Sequence, residues 1–294
     1  MAGRGEPVNL GRAKTALIYA FLGLNIFLSY HLLLPFMDRF NQVAVSSADY
    51  ENARSYLEQN NYILEAEIIR SAQVSTFLTV APAQQIRDEL RSLFSGASVV
   101  SEENKTSVYR LTDRELTVRP EGPLRIDFKP GLFLEAQSET PEDQELSGLV
   151  LQLLGENMVV PDEVRYNYIK REQDGRKIIH YYQDIGGTPL YAGYMNVFIE
   201  GDRIVSVELY WLELIDWPQE GEIEVIPATE ALIRLVEELG PSPNPRQIIK
   251  VDLGYYSREY NAEKWEIPPV WRILLGDGGV YYINAFTGNL EADE

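Results

Sequence analysis

The sequence predicts an α+β protein, with a single N-terminal transmembrane helix followed by two extracytoplasmic domains of antiparallel sheet with packed helices. Three observations carry this. From Thr15 to Leu34 no residue is Asp, Glu, Lys or Arg. After Pro35, short apolar–polar alternations are separated by Gly, Asp and Asn, the pattern of hairpins. Among them stand a few helical patterns, three opened by proline and closed by glycine. Consecutive strands with few helices fit antiparallel sheets with helices on one face better than a βαβ array.

The uncharged run comes first. As a helix it extends roughly 30 Å at about 1.5 Å per residue, the thickness of a bilayer's hydrocarbon core. Arg4, Arg12 and Lys14 precede it, with only Glu6 against them. Basic flanks favour the cytoplasmic side. Residues 1–14 are therefore expected as a cytoplasmic tail and 15–35 as the transmembrane helix, with the rest outside the cell membrane. The rival is a cleaved signal peptide, whose apolar core is usually about 7–15 residues before a small-x-small site. Here the core is longer and runs into Leu32, Leu33, Leu34 and Phe36. Within the span Asn25 and Ser29 lie four apart, on one helix face. They are the candidate site residues for contact with a partner helix, since polar groups in lipid seek partners. The alternative is that each bonds a local carbonyl.

Composition narrows what the outer part does. The chain has 26 basic and 45 acidic residues. Setting aside Arg4, Arg12, Lys14 and Glu6 leaves 23 basic against 44 acidic residues, a net −21. Such a charge argues against binding nucleic acid or adsorbing to anionic lipid. There are no cysteines, which excludes disulfides, thiolate metal sites and thiol nucleophiles. The fold must rest on its core, and 18 Tyr and 10 Phe supply large apolar groups. The remaining length suits two modest domains.

The first domain is expected over 36–135. Ser46-Ser47 precede a helical pattern at Tyr50, Ala53 and Leu57. Strands follow at 62–69 and 73–80. Pro82 then starts a helix with Ile86, Leu90, Leu93 and Phe94 on one face and Gly96 at its end. Strands near 98–103, 106–112, 115–120 and 124–129 complete the domain. The acidic stretch 134–140 marks the boundary, and the second domain is expected over 136–294. Thr140 and Pro141 open its first helix, with Leu146, Leu149, Val150 and Leu153 as the face and Gly155 closing it. Strands near 163–173, 177–185, 191–200 and 203–214 are joined at Asp174-Gly175, Gly186-Gly187 and Gly201-Asp202. Pro227 opens the last helix, with Ala231, Leu232, Leu235 and Val236 on its face and Gly240-Pro241 at its end. Strands near 247–257, 269–275 and 280–285 close the chain. Each half runs helix, strands, Pro-started helix, strands, an internal repeat of element order.

No reaction-specific motif occurs: no G-x-S-x-G, P-loop, H-E-x-x-H or EF-hand loop. Two histidines cannot form a metal triad, and His31 lies in the span. His180 reads as an ordinary strand histidine. No enzymatic activity, cofactor or metal is expected. Tyr181-Tyr182, Tyr255-Tyr256 and Tyr281-Tyr282 are adjacent pairs in strands, so each sends its two rings to opposite faces. Most of these rings are expected in the core or under helices, although Tyr is also favoured at partner surfaces.

Arg12-Ala13-Lys14-Thr15 followed by Phe21-Leu22-Gly23-Leu24-Asn25-Ile26-Phe27-Leu28 resembles the start of the YycI (WalI) family. The end, from Pro269-Val270-Trp271-Arg272-Ile273 to Tyr281-Tyr282-Ile283-Asn284 and Thr287-Gly288-Asn289, resembles that family's C-terminus. It is also similar to PepSY hairpins. The YycI resemblance implies a regulator of the WalK (YycG) sensor histidine kinase, whose two-component system controls cell-wall metabolism, acting with a YycH-like anchored partner. It implies no catalytic residues. The PepSY resemblance implies an alternative, a binding or inhibitory module for an envelope peptidase.

Overall fold

A computed structural model describes Phe21, Leu24 and residues 45–101, 106–120, 122–135, 142–218, 222–258 and 262–293. The predicted span, with Asn25 and Ser29, lies outside the described residues except for Phe21 and Leu24. Those two are helical and exposed. Among the described residues no helix is long and apolar enough to cross a membrane.

The described chain is α+β and has two main cores. In the first, β4 (Ser98–Ser101), β5 (Ser107–Arg110), β6 (Arg114–Val118) and β7 (Leu124–Phe133) form an antiparallel meander. The sheet continues antiparallel from β7 to β11 (Arg203–Tyr210), β10 (Thr188–Glu200), β9 (Lys177–Ile185) and β8 (Val164–Arg171). Helices α2 (Gln84–Ser92) and α3 (Asp143–Asn157) cover it. Leu90 from the first and Leu146, Val150 and Leu154 from the second pack on Ile126, Ile179, Val197 and Val207. In the second core α1 (Ser47–Gln59) and α4 (Ala228–Leu239) pack on β1 (Tyr62–Leu64), β14 (Arg246–Tyr255), β16 (Pro269–Leu275) and β17 (Val280–Asn284). β1 runs parallel to β14; the others pair antiparallel, out to β18 (Leu290–Asp293).

The two sheets join where Leu190 of β10 meets Tyr255 of β14 in parallel. A small sheet of β12 (Leu212–Asp216), β3 (Leu78–Pro82) and β15 (Trp265–Ile267) covers that junction. Leu78, Val80, Leu212 and Ile267 from it pack on Leu190, Ala192, Tyr210 and Tyr255. The expected boundary at 135/136 falls between β7 and α3, and among the described residues five pairings cross it: β7 with β11, β1 with β14, β3 with both β12 and β15, and Val74-Ser75 with Ile223-Glu224. The expected repeat of element order does not correspond to the two cores. The helix from the start of the chain shares a core with the last helix, and the middle two share the other.

Local signals acted where their groups are satisfied locally. Ser46 caps α1, its Oγ accepting from the Asp49 N–H at 3.1 Å, and Ala53 and Leu57 are buried beneath it. Pro227 sits at the N-cap of α4, and Gly240, with φ of +74°, ends it. Where non-local contacts intervene, the limits move. Pro82 is the last residue of β3, not the first of α2, because the next N–H, of Ala83, donates to Trp211 O at 2.8 Å and keeps the chain extended. Gly155 lies inside α3 instead of closing it. The helix runs on to Asn157, whose carbonyl accepts from Arg114 Nη1 at 2.9 Å. Thr140 and Pro141 lie outside the described residues, and Glu142 is the N-cap. In β11 the register shifts between Ile204 and Ser206, so Ile204, not Val205, joins Val207 and Leu209 in the core.

Candidate functional site

The sheet junction brings aromatic side chains from both cores into one space. On β9, His180 and Tyr182 lie two apart and share a face. Their cross-strand partners on β10 are Asn196 and Tyr194, so the four side chains form a block on one surface. Tyr168 of β8 lies opposite His180, and their rings stack at 4.3 Å. A bulge at Asn167 makes this possible. Without the extra residue, Tyr166 and Tyr168 would face the same way. With it, Tyr166 turns to Tyr181 in the first core and Tyr168 turns to the junction.

The second core supplies the other wall. Tyr256 and Tyr282 stack nearly parallel, with centroids 3.9 Å apart, and Tyr191 packs on Tyr282 at 5.7 Å. The three adjacent tyrosine pairs divide as the strand period requires. Tyr181, Tyr255 and Tyr281 belong to three different cores, and Tyr182, Tyr256 and Tyr282 all face this junction. Between the walls is a cavity of about 270 Å³.

Arg272 anchors the junction. Its residue is fully buried on β16, between Val270 and Leu274 on the face opposite Trp271. Asp252 on β14 and Tyr282 on β17 are its cross-strand partners. Nη1 donates to Asp252 Oδ2 at 3.1 Å, Nη2 donates to the bulged Asn167, and the guanidinium lies 5.0 Å from the centre of the Tyr191 ring. Burial works against its charge, but Tyr191, Tyr282 and Asp252 outweigh burial and hold its pKa above the ordinary value. Burial pushes the Tyr191 hydroxyl's pKa up, so it stays protonated. Burial also pushes His180 down to about 4; Asn196 opposes the shift, and Lys170 and Arg272 add to it. His180 is thus a partly buried strand histidine, as expected, whose burial favours the neutral form. Its Nε2 is buried with no hydrogen-bond partner among the described residues, as is Arg272 Nε.

Sequence reasoning placed the tyrosine pairs on two faces but missed their convergence, together with Asn167 and Arg272. The legible signal for Arg272 was a charged residue inside the apolar run Pro269–Leu275. Among the described residues no group of three His, Asp or Glu is placed to hold a metal ion.

These features define an α+β protein with a ligand-sized, tyrosine-lined cavity where two cores meet. The model of the YycI protein family matches residues 40–286, which takes in every element from α1 to β17. The chain belongs to the YycI family, a regulatory family and not a known enzyme family, and that membership points to regulation of the WalK/YycG pathway. The PepSY-like character expected of the C-terminal hairpins gains no support from the comparisons. No curated protein matches the chain. Among solved structures it is similar to an uncharacterized protein from Eubacterium rectale ATCC 33656, with a TM-score of 0.49, 13% identity, and coverage of 83% of this chain and 98% of that one.

Proposed function

We propose that this chain is a membrane-anchored, extracytoplasmic regulator of a WalK/YycG-type sensor histidine kinase, acting with a YycH-like anchored partner on a system that controls cell-wall metabolism. The family match over 40–286 carries the reading. The uncharged run Thr15–Leu34 supports the anchor, and so does the exposure of the apolar side chains of Phe21 and Leu24. Arg12 and Lys14 support an inside N-terminus. The described folded part, from Val45 onwards, then stands outside the cell, on the partner's side of the bilayer.

A regulator built this way reaches the kinase through its span and its outer part. Asn25 and Ser29, four apart and so on one face of the expected span, are the groups assigned to transmit the effect across the bilayer. An interhelical hydrogen bond in lipid contributes about 0.6–2 kcal/mol. That shifts a two-state kinase several-fold without holding a complex by itself. The test is a kinase-dependent reporter in cells lacking the gene and complemented with wild-type, Asn25→Leu/Ser29→Ala or empty vector. Wild-type complementation should restore the reporter level, and the double variant, expressed equally, should shift it several-fold. A reporter insensitive to deletion refutes the regulatory reading. A double variant indistinguishable from wild type refutes only the span assignment.

A further inference from the structure

The junction cavity is a built site whose chemistry selects a ligand. Its walls are aromatic, and two stacked pairs, Tyr256–Tyr282 and Tyr168–His180, belong to them. At about 270 Å³ it lies just below the range of about 300–1,000 Å³ that takes drug-sized ligands, which suits a molecule with a single ring. The chain has a net charge of −19, yet among the described residues no carboxylate lines the cavity. The charge that lines it is Lys170, exposed at its rim and in no ion pair among the described residues. Beneath the cavity floor lies Arg272. Its counter-ion Asp252 is shared with Lys250, 3.2 Å away, so the positive charge is in excess.

A cationic ligand is disfavoured twice, by this excess and because Arg272 already lies over the Tyr191 ring. An uncharged ring would leave the excess charge unused. We propose that this cavity binds a small organic carboxylate carrying one ring, with the ring packed against the tyrosines and the carboxylate held at Lys170. Such a ligand touches both cores at once, since Tyr168, His180 and Tyr191 come from one sheet and Tyr256 and Tyr282 from the other. The inference is independent of the anchor and the kinase, and its failure would leave the regulatory reading standing.

The experiment uses the full chain in mild detergent and isothermal titration calorimetry. The probes are 4-hydroxyphenylacetate and glucuronate, their uncharged counterparts 4-hydroxyphenylacetamide and glucose, and the cation tyramine. At least one acid should bind one-to-one, with Kd below about 1 mM, and about tenfold more tightly than its uncharged counterpart. Lys170→Met, at an exposed position, should keep the melting temperature and weaken the bound acid about fivefold while leaving the uncharged counterpart unchanged. The proposal is overturned if neither acid binds, if an uncharged or cationic probe binds as well as its acid, or if Lys170→Met leaves the acid's affinity intact.

Discussion

Replacing Arg272 by Met tests whether the guanidinium holds the two cores together. Methionine keeps most of the aliphatic volume, so the loss falls on polar contacts. Arg272 donates to Asp252 and to Asn167, and hydrogen bonds to charged groups contribute about 1.5–3 kcal/mol each. Breaking a buried ion pair from one side costs about 3–5 kcal/mol when the remaining charge is stranded. Asp252 is not fully stranded: its side chain is 26% exposed and Lys250 stays 3.2 Å away. The variant also avoids desolvating a guanidinium. These offsets bring the expected loss to about 2–3 kcal/mol. For a folded part of this size that lowers Tm by about 5–10 °C. Urea unfolding of wild type, Arg272→Met, Asp252→Asn and the double variant closes a cycle, and a coupling of at least about 0.5 kcal/mol is expected for residues in contact. Arg272→Met as stable as wild type would show that the apolar tyrosine packing holds the junction by itself.

Two further outcomes follow from the same region. Gly254→Ala would put a Cβ 2.7 Å from Tyr191 Cε2 and 2.8 Å from Pro189 O; a backbone oxygen cannot yield, so a loss of about 1–3 kcal/mol is expected by thermal melting. An alanine variant as stable as wild type would refute the close approach of β14 to β10. His180 is depressed to about 4 in the folded chain from 6.5, so the unfolded chain takes up the proton first. Its contribution is therefore complete above pH 6.5 and is lost as pH falls towards 4, by up to about 3 kcal/mol. His180→Asn should flatten the stability–pH curve in that window in denaturant titrations, and an unchanged slope would mean that His180 is hydrated when folded.

The sequence was readable wherever one stretch satisfies its own backbone. Ser46, Pro227 and Gly240 mark helix ends by bonds made within a few residues. Gly186 and Gly187, with φ of +61° and +93°, mark the β9–β10 hairpin because a side chain there would be strained. Pairings between distant segments left no such mark. Nothing in Tyr62–Leu64 announces a parallel partner at Arg246–Ile248, and nothing in Leu78–Pro82 announces Leu212 and Trp265 on its two sides. The bulges at Asn167 and Val205 were equally hidden. One extra residue reverses the facing of everything beyond it, and neither Asn nor Val is diagnostic of a bulge. That is why the tyrosine pairs could be divided between faces from sequence, while the cavity that three of them build could not be seen.

The position of the cavity gives any occupant leverage over the shape of the molecule. β10 serves both cores: Leu190 pairs with β14, and Tyr194 to Glu200 pair with β11. Between these stretches its register on β9 shifts, and Gly193 approaches Gln183 so closely that a Cβ would collide with its Oε1. Gln183 in turn is bound on both sides of its amide to the Leu212 backbone, which starts the strand β12 of the covering sheet. Sliding one core past the other would have to break these contacts together, so any other arrangement of the two cores is costly. A ligand touching both walls shifts the balance between such arrangements only by its difference in affinity for them. Tyr191, which packs on Tyr182 of one wall and Tyr282 of the other and against the Arg272 guanidinium, links the two walls directly.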